Sequence, residues 1–556
     1  MLQDLTGSWA GQRAWTLLDT CLSDGGHFVD ICRLWRDDAA RPPVLHYVAL
    51  ADTNSALNTD LLAKRIADLG LGDISQELAH LYTGFNRLLI ADGSLSLTLC
   101  IGDTADSLKA LRAQLDSVLL DARCARWTDL HWTQLALNCR TGAKLYATAG
   151  DLSPESDMGR YGFSGQVHTQ GGMPLAQFLP RWHPKTSRRL ASTTIKPQRC
   201  AVIGAGLSGA AAARALALRG WEVTVYDALP APAGGASGLP VGLCVPLQSV
   251  DDNPLSRLSR QGVRLTLAHA KHYLRTGVDW QHTGVLEKGD AAAGEADVWH
   301  THAGWIKPAA LVKAWLNHPA IRCVGDFEVT GLRRDNNHWL LQGARPDATA
   351  QADIVVLANA YGCRSLLAGL ADICHPGTGV LQKLSALHPV HGTLSMGADH
   401  DTESGAINGS GSWIGKVPAD SNYFWAAGAT YEPEGQVFAD IGERHADNLR
   451  KLRMLSEQHA RTMQDALDKG ELSHWSGTRC VTHDRLPLVG PLEQADQPTL
   501  WICAGMGSRG MSLATLCAEL LAAYIGSEPL PLPARLAQSL SVMRPTRGTS
   551  TDTTKA

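Results

Sequence analysis

A glycine-rich stretch in the middle of the chain has the residue types and spacing of a dinucleotide-binding loop. It runs Gly204-Ala-Gly206-Leu-Ser-Gly209. Gly204 permits a tight turn, Gly206 lets the backbone approach a pyrophosphate, and Gly209 allows a helix to pack closely on a strand. Asp227 follows about 20 residues later, where its carboxylate can accept hydrogen bonds from a ribose hydroxyl. The stretch therefore predicts a bound dinucleotide.

The elements around this loop are those that such a site needs. Residues 200–203 form a short apolar run typical of a buried strand, and residues 210–219 are an alanine-rich helical pattern. Residues 221–226 then predict a second strand that ends at Asp227. A structural turn is the alternative reading of three glycines, but here strand, loop, helix, strand and acid occur in order.

Two further glycine loops favour FAD over NAD. One follows Asp227 closely, and the other lies near the far end of the chain between a strand at 500–503 and a helix at 512–524. The N-terminus of that helix can place its positive dipole end near a flavin ring, where negative charge grows on reduction. The residues predicted to bind the cofactor in these two loops are Gly235, Ala236, Ser237, Gly507, Ser508 and Gly510.

The chain of 556 residues is too long for one compact core. Alternating strand and helix patterns on both sides of a basic, proline-containing segment predict two α/β domains. We assign residues 1–180 to a first domain, 181–198 to a linker, 199–545 to a second domain and 546–556 to a disordered tail. In the first domain, residues 45–50 and 117–120 predict strands, and residues 60–69 and 104–115 predict helices.

Composition excludes several classes of protein. The net charge is −4, so the overall charge does not indicate a nucleic-acid binder, although basic clusters occur at 181–199 and 450–453. The 13 cysteines show no metal-ligand spacing, so no metal site is predicted, and their odd number suits reduced thiols in a cytoplasm. Neither a secretory signal nor a membrane-spanning run is predicted.

The second domain resembles the D-amino-acid-oxidase-like FAD oxidoreductases. Within them it is similar to the oxidoreductase half of the bacterial bifunctional proteins of tRNA 5-methylaminomethyl-2-thiouridine biosynthesis. That fold combines an FAD-binding Rossmann domain with an antiparallel-sheet substrate subdomain. The resemblance departs at His391-Gly-Thr393, where the family tends to carry Arg-Gly-Gln. The matching pieces are Gly235-Ala-Ser-Gly238, Val245-Pro246, Gly304-Trp-Ile-Lys-Pro308, Val355-Val-Leu-Ala-Asn359, Gly477-Thr-Arg-Cys480, Asp484-Arg-Leu-Pro487, Gly505-Met-Gly-Ser-Arg-Gly510 and Leu516-Cys-Ala-Glu-Leu-Leu521.

The resemblance implies a reaction on tRNA. The substrate would be the 5-carboxymethylaminomethyl group of the wobble uridine, and its oxidation would release glyoxylate and leave 5-aminomethyluridine, with O2 as electron acceptor. Arg479 lies in a Gly-x-Arg motif that binds a carboxylate in related oxidases, although a structural role is the alternative. Arg509 is a candidate for neutralising reduced flavin or touching tRNA phosphate. Trp305 is expected to lie in the core rather than to stack on a base.

The first domain resembles the Rossmann-like methyltransferase half of the same family, which uses S-adenosylmethionine. Its pieces are Leu45-His-Tyr47, Gly84-Phe-Asn-Arg-Leu88, Leu97-Thr-Leu99, Gly102-Asp103, Leu119-Leu-Asp121 and Arg140-Thr-Gly-Ala143.

The cofactor loop of this half is degenerate. The family carries an acid followed by Thr-Gly-Phe-Gly-Thr-Gly, whereas this chain has Asp19-Thr20 and then Cys21-Leu-Ser-Asp-Gly-Gly26. The early glycines let the backbone pass under the cofactor, and a Cβ there would collide. Asp103 and Asp121 survive, but either can be a mere strand-end acid. The loop therefore predicts that this half has lost its S-adenosylmethionine site, with an active methyltransferase as the alternative.

Two other functions stay open at this point. One is an FAD-dependent oxidase of a free small amine such as glycine or sarcosine, which would need neither the first domain nor the basic linker. The other is a non-catalytic tRNA-binding protein, which would carry no flavin. The oligomeric state does not follow from the sequence.

Overall fold

The computed structural model describes residues 2–52, 57–148, 157–165, 175–182, 196, 198–289, 296–370, 387–399, 405–493, 495 and 497–544. The chain divides into two compact units. The first contains Met1–Pro197, Leu218–Gly220 and Glu519–Ala537, and the second contains the remainder. The sequence-based boundaries instead keep 199–545 together. The predicted tail, and the predicted linker apart from residues 181, 182, 196 and 198, lie outside the described residues.

The first unit is built on an eight-stranded sheet. Its central strands are parallel, and Ala14–Asp19 lies between Val44–Ala51 and Leu115–Leu120. All eight residues of Val44–Ala51 are buried, as expected of a parallel strand with both faces covered. The strand order is Gly84–Ile90, Leu95–Ile101, Val44–Ala51, Ala14–Asp19, Leu115–Leu120, Cys139–Ala147, Ala176–Phe178 and Phe163–Ser164.

Helices cover this sheet with their apolar faces. Gly26–Asp37 buries Phe28, Ile31 and Trp35 against it. The helices of this part of the chain are Leu2–Trp9, Gly26–Asp37, Thr59–Asp68, Ser75–Ala79, Thr104–Ala110 and Asp129–Asn138.

One predicted helix is shorter than its periodicity indicates. The helix expected over 104–115 ends at Ala110, and the following strand begins at Leu115 instead of residue 117. Leu111 has extended backbone angles, and the Ala113 N–H donates to the side-chain oxygen of Asn138 rather than to the helix. A long-range hydrogen bond therefore ends the helix where apolar spacing would continue it.

A buried ionic cluster lies in the first unit. Arg219 donates to both carboxylate oxygens of Glu528 at 2.8 Å and to Glu519 at 3.1 Å. Burial raises the pKa of Glu528, but the charges of Arg219 and His46 outweigh this effect and lower it to about 2. These residues tie the late segments Leu218–Gly220 and Glu519–Ala537 into this unit.

The second unit contains a six-stranded sheet of Rossmann type. Its first five strands are parallel, and Arg199–Ile203 lies between Glu222–Tyr226 and Ile354–Leu357. The strand order is Ile321–Val324, Glu222–Tyr226, Arg199–Ile203, Ile354–Leu357, Leu500–Ala504 and Leu488–Pro491. This order puts the loop after Ile203 at the carboxyl edge, where ligands bind in such sheets.

A second large sheet, mostly antiparallel, forms the predicted substrate subdomain. Within it, His388–Ala398 pairs with Ser473–Val481 and Tyr423–Gly428. Its other strands are Val298–His300, Val285–Glu287, Ala406–Gly409, Gly411–Pro418 and Glu432–Pro433. The two smaller sheets contain Gly242–Cys244, Gly304–Ile306 and Trp280–Gln281, and Val329–Asp335, His338–Gly343 and Thr349–Ala352.

The later helices complete the second half of the chain. They are Leu207–Ala217, Pro254–Tyr273, Pro308–Leu316, Cys363–Ala368, Ile441–Leu455, Glu457–Asp468, Gly510–Gly526 and Ala534–Gln538. In the described part of the chain, none of the helices has the length and hydropathy needed to span a membrane. The predicted α/β fold class is confirmed.

Candidate active site

A cavity of about 500 Å³ in the second unit collects nearly all of the predicted cofactor residues. It lies at the carboxyl edge of the six-stranded sheet, where Ile203 and Ala504 end their strands. Ten of the twelve residues that we proposed for this half line it: Gly204, Gly206, Asp227, Gly235, Ala236, Ser237, Arg479, Gly507, Ser508 and Gly510.

The first glycine loop has the close packing that its glycines predict. Gly204 has a φ of +104°, and a Cβ there would lie 2.7 Å from the carbonyl oxygen of Ala358. At Gly209 a Cβ would lie 1.8 Å from the Gly204 oxygen, so this glycine sets the helix against the loop and does not itself line the cavity. Both positions require glycine for backbone packing.

Polar groups hold this loop open toward the cavity. Asp227 accepts the Ala205 N–H at 2.6 Å, and it remains partly exposed. Ser237 accepts the Leu207 N–H at 2.9 Å, at the start of the helix Leu207–Ala217. The second glycine loop is thus joined to the first by a hydrogen bond at the helix N-terminus.

Two glycines leave bare backbone facing the cavity. A Cβ built on Gly235 meets no atom within 4 Å, and one built on Gly507 meets only Val481, at 3.8 Å. Gly507 belongs to a 3₁₀ turn that leads into the helix Gly510–Gly526. These positions would let a planar ring or a pyrophosphate approach the main chain closely.

Arg479 places a guanidinium group in the same cavity. It lies on the strand Ser473–Val481, and its Nη2 donates to the Thr430 carbonyl oxygen at 2.7 Å. Burial lowers the pKa of Arg479, opposed by Tyr431 and Glu432, yet a guanidinium keeps its proton in proteins. A half-buried cation in an otherwise mostly apolar cavity is suited to a substrate carboxylate.

Gly392 makes room for this guanidinium. It pairs with Gly477 across the sheet, and a Cβ at Gly392 would lie within van der Waals overlap of the Arg479 Nη2 atom, 1.8 Å away. The neighbouring His391 is exposed and bonds Thr478 through Nδ1 at 2.8 Å. In the segment where the chain departs from the family that it resembles, the glycine therefore has the packing role.

Arg509 and Trp305 lie outside the cavity lining. Burial lowers the pKa of Arg509, with Glu287 opposing that shift and Arg485 adding to it. Trp305 is 1% exposed and packs in a core cluster with Val241 and Ile414. The expectation that Trp305 is a core residue is confirmed, and no contact of Arg509 with the cavity supports its proposed role.

Some residues that line the cavity were missed in the sequence. Trp475 is one of them, and it alternates with Gly477 and Arg479 along one strand. A Cβ on Gly477 would lie 2.2 Å from the Trp475 ring, so the ring covers that glycine. The period-two pattern of these three residues was a usable signal, because alternate residues share a face of a strand.

The basic residues at 450–453 bond to partners within the same part of the fold. Lys451 bonds Asp447 at 2.7 Å and the Ala429 carbonyl oxygen at 3.0 Å. Arg450 also bonds Asp447, and Arg453 bonds Gln464. These contacts favour an ordinary solvated helix face for this cluster over a phosphate-binding surface.

In the first unit, the degenerate loop after Asp19 is filled by its own side chains. Leu22 is 1% exposed and belongs to the core cluster, and its N–H donates to the Leu50 carbonyl oxygen at 3.2 Å. Thr20 donates through both N–H and Oγ1 to the Leu119 carbonyl oxygen, at 3.0 and 2.9 Å. The loop thus bonds the carboxyl ends of both strands that flank Ala14–Asp19.

Asp19 is committed to internal hydrogen bonds. It is 1% exposed, and its two oxygens accept from the Cys21 N–H at 2.9 Å and from the Tyr47 hydroxyl at 2.7 Å. Burial raises its pKa to about 7, against the opposing hydrogen bond from Tyr47. Asp19 is therefore a buried acid held by internal hydrogen bonds.

The other two acids of the predicted S-adenosylmethionine site cap local turns. Asp103 accepts the Asp106 N–H at 2.9 Å as the N-cap of Thr104–Ala110. Asp121 accepts from the Arg123 N–H and Nε at 3.0 and 2.8 Å, before the 3₁₀ turn Ala122–Arg126. Both therefore cap local turns, as strand-end acids commonly do.

Comparisons with known proteins cover both units. A family model described as FAD dependent oxidoreductase matches residues 199–297 and 288–524. The tRNA 5-methylaminomethyl-2-thiouridine biosynthesis bifunctional protein MnmC of Albidiferax ferrireducens is 41% identical over 97% of this chain and 94% of its own length. The protein of the same name from Polaromonas naphthalenivorans is 35% identical over 98% and 92%.

Among solved structures, glycine oxidase from Geobacillus kaustophilus aligns with a TM-score of 0.48 and 20% identity, over 60% of this chain and 96% of its own.

Proposed function

Because the chain belongs to the family of bifunctional tRNA 5-methylaminomethyl-2-thiouridine biosynthesis proteins, with an FAD dependent oxidoreductase half, we propose that it removes the carboxymethyl group from 5-carboxymethylaminomethyl-(2-thio)uridine at the tRNA wobble position. The product is the 5-aminomethyl nucleoside. The observation that carries this proposal is the placement of Arg479 in the cavity that the glycine loops surround. That arrangement supplies a carboxylate partner beside a cofactor cradle.

The residues of the cavity fit FAD. Bare backbone at Gly235 and Gly507 and the N-terminus of Leu207–Ala217 suit a pyrophosphate and a planar ring. Asp227 is available for the ribose hydroxyls. When bound there, FAD supplies the two-electron oxidation of the glycyl carbon–nitrogen bond.

Arg479 would hold the carboxylate of the substrate. A guanidinium forms paired, charge-assisted hydrogen bonds with a carboxylate, and in a buried site these are stronger than in water. The substrate nitrogen must be unprotonated when its neighbouring CH2 is oxidised, and the positive charge of Arg479 nearby favours the neutral amine. The chain thus selects a glycine-like group and its reactive charge state with one side chain.

The oxidised substrate then reacts with water. Loss of a hydride and a proton from R–NH–CH2–COO⁻ gives R–N=CH–COO⁻. Addition of one water molecule and cleavage of the carbon–nitrogen bond yield R–NH2 and glyoxylate. We propose O2 as the acceptor that returns the cofactor to its oxidised form.

Methyl transfer by the first unit is not part of the proposed activity. Its loop residues Thr20 and Leu22 occupy the carboxyl edge of the sheet, and Asp19 is used internally. These residues do not fit S-adenosylmethionine, whose passage under the main chain needs glycines. We propose that this unit contributes to tRNA binding rather than to chemistry.

An anaerobic reduction experiment tests the oxidative half. Purified full-length protein mixed with tRNA that carries 5-carboxymethylaminomethyluridine should lose its visible flavin absorbance and release one glyoxylate per modified uridine. Free glycine or sarcosine should reduce the flavin far more slowly. Comparable rates with free glycine would instead identify a small-amine oxidase, and protein purified without flavin absorbance would favour a non-catalytic tRNA-binding protein.

A further inference from the structure

Tyr431 is an exposed aromatic residue on a rigid part of the second unit. It is 52% exposed, whereas the residues on either side of it, Thr430 and Glu432, are both 0% exposed. Side chains alternate in direction along extended backbone, so the ring faces solvent while its two neighbours face inward.

Hydrogen bonds fix the backbone on both sides of this ring. Thr430 accepts the Thr393 N–H at 2.9 Å through Oγ1, which also donates to Glu432 at 2.5 Å. Glu432 accepts further hydrogen bonds from Arg444 Nε at 3.1 Å and from the Phe438 N–H at 3.2 Å. Burial raises the pKa of Glu432, and these donors outweigh it, so the carboxylate stays ionised. The backbone at Tyr431 is therefore fixed by its two neighbours.

The ring lies next to the carboxylate partner of the cavity. The Arg479 guanidinium carbon is 6.0 Å from the centre of the Tyr431 ring. The same guanidinium donates to the carbonyl oxygen of Thr430, and the preceding residue, Ala429, lines the cavity. Tyr431 is thus beside the cavity and in solvent at once.

The length of the substrate side chain matches this spacing. In the proposed substrate, the carboxylate carbon is joined to the uracil ring through CH2, NH and CH2, a reach of about 5 Å with ordinary bond lengths. If the carboxylate binds at Arg479, a uracil about 5 Å from the carboxylate carbon can reach the Tyr431 ring, whose centre is 6.0 Å from the guanidinium carbon. Bases of single-stranded RNA loops are commonly held by stacking on exposed aromatic rings.

We propose that Tyr431 is the stacking platform for the wobble base, a positioning residue that holds the uracil while Arg479 holds the carboxylate. This inference rests on the proposed function. It assigns the discrimination between tRNA and free amino acids to a single exposed ring, because a free amine has nothing to stack.

A binding experiment with two single substitutions of Tyr431 and two RNAs tests this pairing. The probes are two anticodon stem-loop RNAs, one with 5-carboxymethylaminomethyluridine at the wobble position and one abasic there, each titrated into the full-length holoprotein. Tyr431→Ala should weaken binding of the modified stem-loop by about tenfold or more and leave binding of the abasic stem-loop within about twofold of wild type. Tyr431→Phe should behave as wild type with both RNAs, since it keeps the ring.

Tyr423→Ala is the matched control. Tyr423 is 46% exposed and begins the strand Tyr423–Gly428, so it lies about 17 Å from Gly428 at the cavity end of that strand. This variant should bind both RNAs as the wild type does, and all variants should retain their flavin.

Three results would overturn the stacking role. The first is that Tyr431→Ala weakens the binding of both RNAs equally, and the second is that it weakens the binding of neither. The third is that Tyr431→Phe weakens binding of the modified stem-loop as much as Tyr431→Ala does, which would identify the hydroxyl as the contact. The proposed function fails separately, if wild-type protein releases no glyoxylate from the modified tRNA.

Discussion

Each of the two units contains a parallel strand followed by a loop and a helix, but the two loops differ in composition and packing. In the second unit, the loop after Ile203 consists largely of glycine, and its backbone borders an open cavity. In the first unit, the loop after Asp19 carries Thr20 and Leu22, whose backbone and side chains bond or pack against the neighbouring strands. Both loops lie at the carboxyl edge of a parallel sheet, but the loop after Ile203 lines a cavity whereas Leu22 of the loop after Asp19 packs into the core.

The difference shows how a loop at the edge of such a sheet can be filled by its own residues. A glycine loop without its cofactor leaves polar backbone groups unpaired at the sheet edge. Here the Leu22 N–H and the Thr20 hydroxyl pair with carbonyl groups of Leu50 and Leu119. The residues that fill this loop therefore also stabilise the sheet around it.

The largest expected effect comes from substituting one glycine in each of the two loops. Gly204→Val places a branched side chain at a φ of +104° against the Ala358 backbone. The strain should destabilise the loop conformation that binds FAD by about 3 kcal/mol and therefore reduce FAD affinity about a hundredfold. Gly25→Ala, at a φ of +75° against Leu62, should lower the melting temperature and leave flavin content unchanged. Flavin absorbance per protein measures the FAD content of both variants. Equal flavin loss in the two variants would remove the distinction between the loops.

The next effect tests whether the open cavity holds the reacting group. Arg479→Met removes charge-assisted hydrogen bonds worth about 1.5–3 kcal/mol, so kcat/KM for glyoxylate release from modified tRNA should fall about a hundredfold. Arg479→Lys keeps the charge but loses the paired geometry, and should fall about tenfold. Unchanged flavin content is the control. Activity within twofold of wild type in Arg479→Met would place carboxylate binding elsewhere.

A third substitution tests whether the first loop is packing rather than a binding surface. Leu22 is 1% exposed in the core, so Leu22→Ala should lower the free energy of unfolding by about 2–4 kcal/mol. Glyoxylate release should stay within about twofold of wild type at a temperature where the protein is folded. Chemical denaturation followed by tryptophan fluorescence measures the stability. An unchanged free energy of unfolding in Leu22→Ala would mean that Leu22 does not pack in the core.

The last prediction is a pH dependence of stability that arises from Asp19. Folding raises the pKa of this carboxyl from its ordinary 3.8 to about 7. Its contribution to stability is therefore greatest below pH 3.8 and is lost as the pH rises toward 7, because the unfolded chain releases the proton first. Asp19→Asn cannot titrate, so the wild type should lose stability relative to this variant over that interval. Parallel melting-temperature curves for the two proteins would show that Asp19 is ionised in the folded state.

The sequence predicts the open site better than the closed one. Gly204 and Asp227 act through local backbone geometry, so their spacing alone indicates a dinucleotide loop. The loss of glycine after Asp19 predicts that a cofactor is excluded. However, the sequence does not reveal that Leu22 joins the core or that Tyr47 bonds Asp19, because those contacts join residues far apart in the chain.

The residues around Arg479 show the same limit. The Gly-x-Arg motif identifies Arg479, whereas the clearance that Gly392 provides depends on the pairing of two distant strands. The exposure of Tyr431 likewise follows from the burial of its two neighbours. In the first half, the helix predicted over 104–115 extends too far because Asn138 intercepts a backbone N–H.

The most direct test of one working and one closed loop is nucleoside mass spectrometry of tRNA. A strain that lacks this chain should accumulate 5-carboxymethylaminomethyl-uridine at the wobble position. Restoring the chain as the sole source of both activities should convert it to 5-aminomethyl-uridine and no further. Appearance of 5-methylaminomethyl-uridine would show that the first loop still serves a methyltransferase, and unchanged 5-carboxymethylaminomethyl-uridine would contradict the oxidative function of the second.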